Sequence, residues 1–307
     1  MLKKKTITGE DAMRSLIIGG TGFVGRHLAS RLDTPIVAGR SRSRVHQHLG
    51  DIEARTWSPE HVEPDLFSGV DTVFHLAGES VFHGRWTAGK KERIRSSRVD
   101  GTRRLVDAIA AAGKRPSTLI CSSAIGYYGS RGDTLLTERS RPGDDFLAKV
   151  CVDWEREAMR AEEFGVRVVC IRTGVVLGRD GGALGQMLLP FRLGLGGRLG
   201  SGNQWMSWIH IEDLVGIMFH AAGHPHLHGP VNGVAPEPVT NRVFTQSLGA
   251  ALHRPAILPV PACLLKVAVG KFAAVLLASQ RVVPEKISHS GFAFSFPQLK
   301  QALADLL

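Results

Sequence analysis

Short apolar runs recur along the first half of the chain, each followed by residues whose apolar positions fall at helical spacing. The run at 15–18 leads into Gly19-Gly20-Thr21-Gly22-Phe23-Val24-Gly25. Next come Arg26-His27-Leu28-Ala29-Ser30-Arg31-Leu32 and an extended Ile36-Val37-Ala38. That order predicts strand, glycine loop, helix and strand, which is one βαβ unit. The run at 70–76 predicts a buried strand closing on Ala77-Gly78. Helical periodicity over 102–112 stops at Gly113, and 118–121 predicts a strand entering Ser122-Ser123. Residues 149–164 predict a helix ended by Gly165, and 166–171 a strand entering Arg172-Thr173-Gly174. Strands that alternate little, separated by helices, predict a parallel sheet covered on both faces.

The pattern changes near Val175. Residues 178–202 are dense in glycine, and 225–261 are broken by prolines. The expected fold is α/β, a Rossmann-type doubly wound parallel sheet with a smaller C-terminal substrate lobe. The expected division is an N-terminal extension (1–13), a dinucleotide-binding domain (14–177, with a return segment near 205–235), and lobe elements at 178–204 and 236–307.

Composition narrows the class. With 307 residues, 43% hydrophobic and 21% charged, the chain is globular rather than disordered. The net charge of +10 suits an anionic ligand. The basic residues are scattered, without aromatic interleaving or a nucleic-acid motif, so no nucleic-acid partner is expected. Cys121, Cys151, Cys170 and Cys263 form no CxxC pair and are expected to be reduced core thiols of a cytoplasmic protein. Residues 1–15 contain no apolar core of a secretory signal. The apolar stretch 262–278 is interrupted by Lys266 and Lys271 and is too short for a bilayer, so it predicts a packed helix and no membrane partner. Homo-oligomerisation stays open.

The glycine loop satisfies G-x-x-G-x-x-G at Gly19, Gly22 and Gly25, and G-x-G-x-x-G at Gly20, Gly22 and Gly25. A strand precedes it and a helix follows, the context in which glycines let the backbone approach a pyrophosphate at a helix N-terminus. Gly19, Thr21, Gly22, Phe23, Val24 and Gly25 are therefore candidate cofactor-binding residues. After the second strand the chain reads Ala38-Gly39-Arg40-Ser41-Arg42-Ser43-Arg44, without the acid that would accept ribose hydroxyls. Arg40 suits a 2′-phosphate, with Ser41 or Arg42 adding donors and Arg44 a solvated residue, so NADP(H) is expected over NAD(H).

These residues resemble the short-chain dehydrogenase/reductase superfamily in its extended, epimerase-like branch. The resemblance extends through His75-Leu76-Ala77-Gly78-Glu79, Ser122-Ser123-Ala124-Ile125-Gly126-Tyr127-Tyr128-Gly129 and Arg172-Thr173-Gly174. It continues through His210-Ile211-Glu212-Asp213-Leu214 and Ser279-Gln280-Arg281-Val282-Val283-Pro284. Nearly the whole chain from Arg14 is similar to an atypical subfamily called "epimerase family protein". The resemblance implies that Leu76, Ala77 and Gly78 pass beside the adenosine and pyrophosphate. It places Ser122 and Ser123 beside the nicotinamide and Thr173 at its border.

The superfamily's catalytic Ser has a counterpart in Ser123 or Ser122, but its Tyr-x-x-x-Lys pair does not. The corresponding segment reads Asp145-Phe146-Leu147-Ala148-Lys149-Val150. Phe146 carries no ionisable proton, and Lys149 is three residues on instead of four. The chain's two tyrosines are Tyr127 and Tyr128. Ser123, Glu79, Tyr127, Tyr128 and Lys149 are thus the catalytic candidates. His220, His224, His226 and His228 lack ligand spacing, so no metal is expected. Residues 194–202 with Arg198 are a candidate phosphate cradle or a loop at the lobe junction. Two functions follow: an NADP(H)-dependent oxidoreductase or epimerase acting on a small molecule, or a non-catalytic NADP(H) sensor.

Overall fold

The computed structural model describes residues 13–82 and 84–307; most of the expected N-terminal extension lies outside them. The strands in chain order are β1 (Ser15–Ile18), β2 (Ile36–Gly39), β3 (Glu53–Thr56), β4 (Thr72–His75), β5 (Thr118–Ala124), β6 (Leu135–Leu136) and β7 (Arg167–Thr173). They continue with β8 (Val175–Gly178), β9 (Trp205–Met206), β10 (Trp208–His210), β11 (Gly229–Gly233), β12 (Val239–Thr240) and β13 (Arg281–Val282). The main helices are α1 (Phe23–Ala29), α2 (Arg42–Leu49), α3 (Ala88–Ala111), α4 (Phe146–Met159), α5 (Gly182–Arg192), α6 (Ile211–Gly223), α7 (Asn241–Ala251) and α8 (Ala262–Val269).

Seven strands form one parallel sheet in the order β11-β7-β5-β4-β1-β2-β3. Successive side chains of a strand point to opposite faces, and this divides the core in two. Leu16, Ile18, Val73, Leu119 and Cys121 pack with Val99, Leu105 and Ile109 of α3 and Trp154 and Ala158 of α4. Ile17, Val37, Phe74, Ile120 and Val169 pack on the other face with Leu28 of α1 and Leu214, Ile217 and Met218 of α6. Both faces are covered, which is why the strands lack alternation.

The lobe has its own core of Leu184, Leu188 and Phe191 from α5, Trp208 from β10, Phe244 and Leu248 from α7, and Leu299, Leu303 and Leu306 from the last helix. Three two-stranded pairs, β8 with β10, β9 with β12 and β6 with β13, tie it to the sheet domain. The expected single packed helix over 262–278 is instead α8, a one-turn 3-10 segment and the short helix Ala273–Leu276. Gly270, at φ +60°, breaks it. Leu264 and Val267 of α8 are 58% and 75% exposed. Cys121, Cys151 and Cys170 are buried thiols, whereas Cys263 is exposed rather than in the core.

Candidate functional site

From β1 the chain winds to β2 and β3 on one side of the sheet, and from β4 it winds through β5, β7 and β11 on the other. The reversal falls between β1 and β4, where doubly wound sheets bind ligands beyond their carboxyl ends. A cleft of about 620 Å³ opens there. Gly19, Thr21 and Gly22 after β1, Leu76, Ala77 and Gly78 after β4, and Arg40, Ser41 and Arg44 after β2 line it.

The glycines have distinct reasons. Gly19 has φ +87°, and a Cβ there would lie 2.9 Å from the Ala77 nitrogen. A Cβ on Gly25 would overlap the Gly19 carbonyl and lie 2.6 Å from the Gly20 Cα. These two glycines let the turn close on itself and on the β4 turn. Gly22 differs: a Cβ there would meet only the Gly19 carbonyl oxygen, at 3.2 Å, and Gly22 lines the cleft. Its missing side chain therefore keeps cleft volume open. No side chain caps α1, whereas Ser41, Thr87, Asp145 and Thr240 cap α2, α3, α4 and α7.

At the end of β2, Ser41 accepts the Arg44 N–H at 3.4 Å and caps α2. The capped turn brings Arg44, not Arg42, to the cleft beside Arg40, reversing the expected roles of the two. Among the described residues, no carboxylate pairs with the Arg40 or Arg44 guanidinium. Trp57, Pro59 and Glu60, which follow β3, and Gln47 and His48 of α2 also line the cleft, as do Glu79 and Ser97. The sequence reading missed the residues after β3 because β3 is an edge strand of sequence Glu-Ala-Arg-Thr without an apolar run. The surviving signal was positional: residues after a strand's carboxyl end.

Phe23, Val24, Gly25, Ser122 and Thr173 do not line this cleft. The Phe23 ring packs where side chains on Gly178, Gly181 and Gly182 would stand, and Val24 joins the core. Ser122 and Thr173 are half-buried at the carboxyl ends of β5 and β7. Ala124 and Thr173 are register partners there.

The catalytic candidates separate sharply. Lys90, itself buried, donates to the Glu79 carboxylate at 2.6 Å and holds its pKa below the usual carboxylate range. The Glu79 backbone is pinned as well, its N–H to Ser97 Oγ and its carbonyl to Arg98. Glu79 is thus a paired anion, not a proton donor near neutral pH. Lys149 lies exposed on α4 while Ala148, Val150 and Cys151 are buried, so the helix turns it away from the candidate group.

Ser123 and Tyr128 belong to a buried polar network. Ser123 donates to Glu155 Oε1 at 2.6 Å, and the Arg172 guanidinium donates to both Glu155 oxygens at 2.8 and 2.7 Å. Arg172 also donates to the Tyr128 hydroxyl, which donates in turn to Asn232 at 2.7 Å. Burial pushes the Tyr128 phenol up to about 12. The hydroxyl protons of Ser123 and Tyr128 are therefore committed within the protein, which removes both as free donors. Tyr127 differs. It is half-buried, Arg172 lies 3.4 Å from its ring centroid, and no hydrogen bond engages its hydroxyl among the described residues. Phe146 opens α4 and packs edge-on against Trp86 at 5.8 Å.

A doubly wound sheet, a glycine turn at its switch point and a separate lobe define a dinucleotide-binding α/β protein of the extended short-chain dehydrogenase/reductase type. Residues 15–232 match the NAD dependent epimerase/dehydratase family, to which this chain belongs. Residues 260–306 match a domain of unknown function, DUF1731. The chain is 39% identical to the human epimerase family protein SDR39U1, over 96% of this chain and all of that one. It is also 39% identical to a chloroplastic homologue from Arabidopsis thaliana, over 97% of this chain and 88% of that one. The crystal structure of human SDR39U1 with NADPH superposes with a TM-score of 0.85 at 37% identity, covering 96% of this chain and 99% of that chain.

Proposed function

We propose that this chain binds NADP(H) and acts as an epimerase- or dehydratase-like oxidoreductase on a small molecule. The observation that carries the reading is the cleft at the switch point, with Arg40 and Arg44 where an NAD-selective site presents an acid. NADPH in the human relative fits the same reading. A bound nicotinamide would supply hydride exchange. The chain's own residues do the rest. Gly22 leaves room for a pyrophosphate in a turn that Gly19 and Gly25 allow to close, and Arg40 and Arg44 pair with a 2′-phosphate. Tyr127 is the proton donor of the proposal, because its hydroxyl is uncommitted and Arg172 holds its ring in place. A cytoplasmic location is part of the reading; among the described residues no helix is long and apolar enough to cross a membrane.

A second reading, a non-catalytic NADP(H) sensor, is favoured by two observations. The Ser123 proton is held by Glu155, and in the segment where the resemblance puts the superfamily's tyrosine the aromatic is Phe146. Single-turnover hydride transfer across a broad panel of carbonyls and alcohols separates the two. The enzyme reading predicts transfer in wild type and a loss of about 10²–10⁴-fold in Tyr127→Phe with cofactor affinity unchanged. Cofactor binding without transfer to any substrate would support the sensor. Unchanged rates in Tyr127→Phe would remove Tyr127 from the mechanism.

A further inference from the structure

A second cleft, of about 360 Å³, lies in the C-terminal lobe and shares no residue with the first. Arg198 from the loop after α5, Arg242 from the first turn of α7 and Arg254 from the turn after α7 line it. No aspartate or glutamate does, and no ion pair among the described residues engages any of the three. Arg198 and Arg242 both donate to the Ser201 carbonyl at 3.3 Å, which fixes their direction while leaving their charge uncompensated. A Cβ on Gly249 would lie 2.7 Å from the Ala256 Cβ and 2.9 Å from the Arg254 carbonyl. Glycine there lets the Arg254 segment close onto α7. His253, the sole non-glycine with positive φ (+52°) among the described residues, turns the chain just before Arg254. Ile257, 80% exposed, forms an apolar flank.

Like charges gathered in one concavity repel each other, and an anion relieves that repulsion. Guanidinium forks match phosphoryl oxygens. We propose that this cleft is a second anion site that takes a small organic phosphate, its phosphoryl group on the three arginines and its apolar part on Ile257. The site is independent of the cofactor reading.

Calorimetric titration with phenyl phosphate and with inorganic phosphate tests it. Phenyl phosphate binds wild type more tightly than inorganic phosphate does. Arg242→Ala and Arg254→Ala each weaken it about tenfold or more, and binding falls with salt. Ile257→Ser weakens phenyl phosphate alone, and Arg40→Ala leaves its affinity unchanged. All these side chains are exposed, so the thermal midpoints stay at the wild-type value. No binding to wild type, or loss in Arg40→Ala with retention in Arg254→Ala, overturns the site. Equal affinity for the two probes overturns its assignment to an organic phosphate.

Discussion

The two ends of the sheet's carboxyl edge are built on opposite principles. Beside β1 and β2 the wall is largely backbone and cation: glycines that withhold side chains, and two arginines that no carboxylate pairs among the described residues, although Glu60 and the Lys90-bound Glu79 also line the cleft. Beside β5 and β7 the polar groups are interlocked, with Ser123, Glu155, Arg172, Tyr128 and Asn232 satisfying one another away from water. Two exposed guanidinium groups beside a cleft leave a positive potential that attracts an anion, which suits the first region to a phosphate-bearing ligand. A fully satisfied buried network resists rearrangement, so the second is organised as scaffold. Ser123 belongs to the scaffold, and the Tyr127 hydroxyl, against its edge, has no hydrogen bond among the described residues.

The largest effect breaks the scaffold. Arg172→Leu leaves Glu155 buried without its cation and is expected to cost about 3–5 kcal/mol in urea unfolding. A loss below about 1 kcal/mol would mean the network does not hold this edge. Slightly smaller is the acid response of His75, buried beneath the β4 turn and hydrogen-bonded to Thr102 at 2.9 Å. Burial lowers its pKa from 6.5 to about 4. The fold therefore keeps it neutral, and its contribution is complete above pH 6.5 and lost as pH falls towards 4. The loss is about 3 kcal/mol. The stability of His75→Gln should fall less steeply over that range, and parallel profiles would contradict the assignment.

Gly22→Val sharpens the contrast from the other side. It should weaken dinucleotide binding by about two decades, ~2.7 kcal/mol, while the thermal midpoint stays near wild type. The added side chain enters cleft space and strains little backbone. Gly25→Val, by contrast, should lower the midpoint because its Cβ has nowhere to go. The smallest effect is Phe146→Ala. The half-buried ring touches Trp86 and Lys91, so about 1–2 kcal/mol is expected, without any change in a pH–rate profile.

The glycine turn and the cleft at the sheet's switch point were legible in the sequence. The Gly19–Gly25 turn showed because close backbone approach demands glycine, and Arg40 because residues after a strand's carboxyl end line the cleft there. The start of α3 was not legible. Its first two turns, Ala-Gly-Lys-Lys-Glu-Arg-Ile-Arg, carry few apolar residues, and the expected helix began fourteen residues too late. Pairings were hidden for a different reason. Lys90 with Glu79 and Glu155 with Ser123 join residues 11 and 32 positions apart, and only the fold brings them together. A carboxylate after a glycine turn looks the same in sequence whether it is free or held. The exchange of Arg42 for Arg44 turned on a single helix cap at Ser41.

The most direct test of the account is a calorimetric titration of wild type and Arg40→Ala with NADPH and with NADH. The account predicts that wild type binds NADPH more tightly, and that Arg40→Ala weakens NADPH by about one to two decades while barely changing NADH. Equal wild-type affinities for the two cofactors, or an equal loss for both in Arg40→Ala, would contradict it.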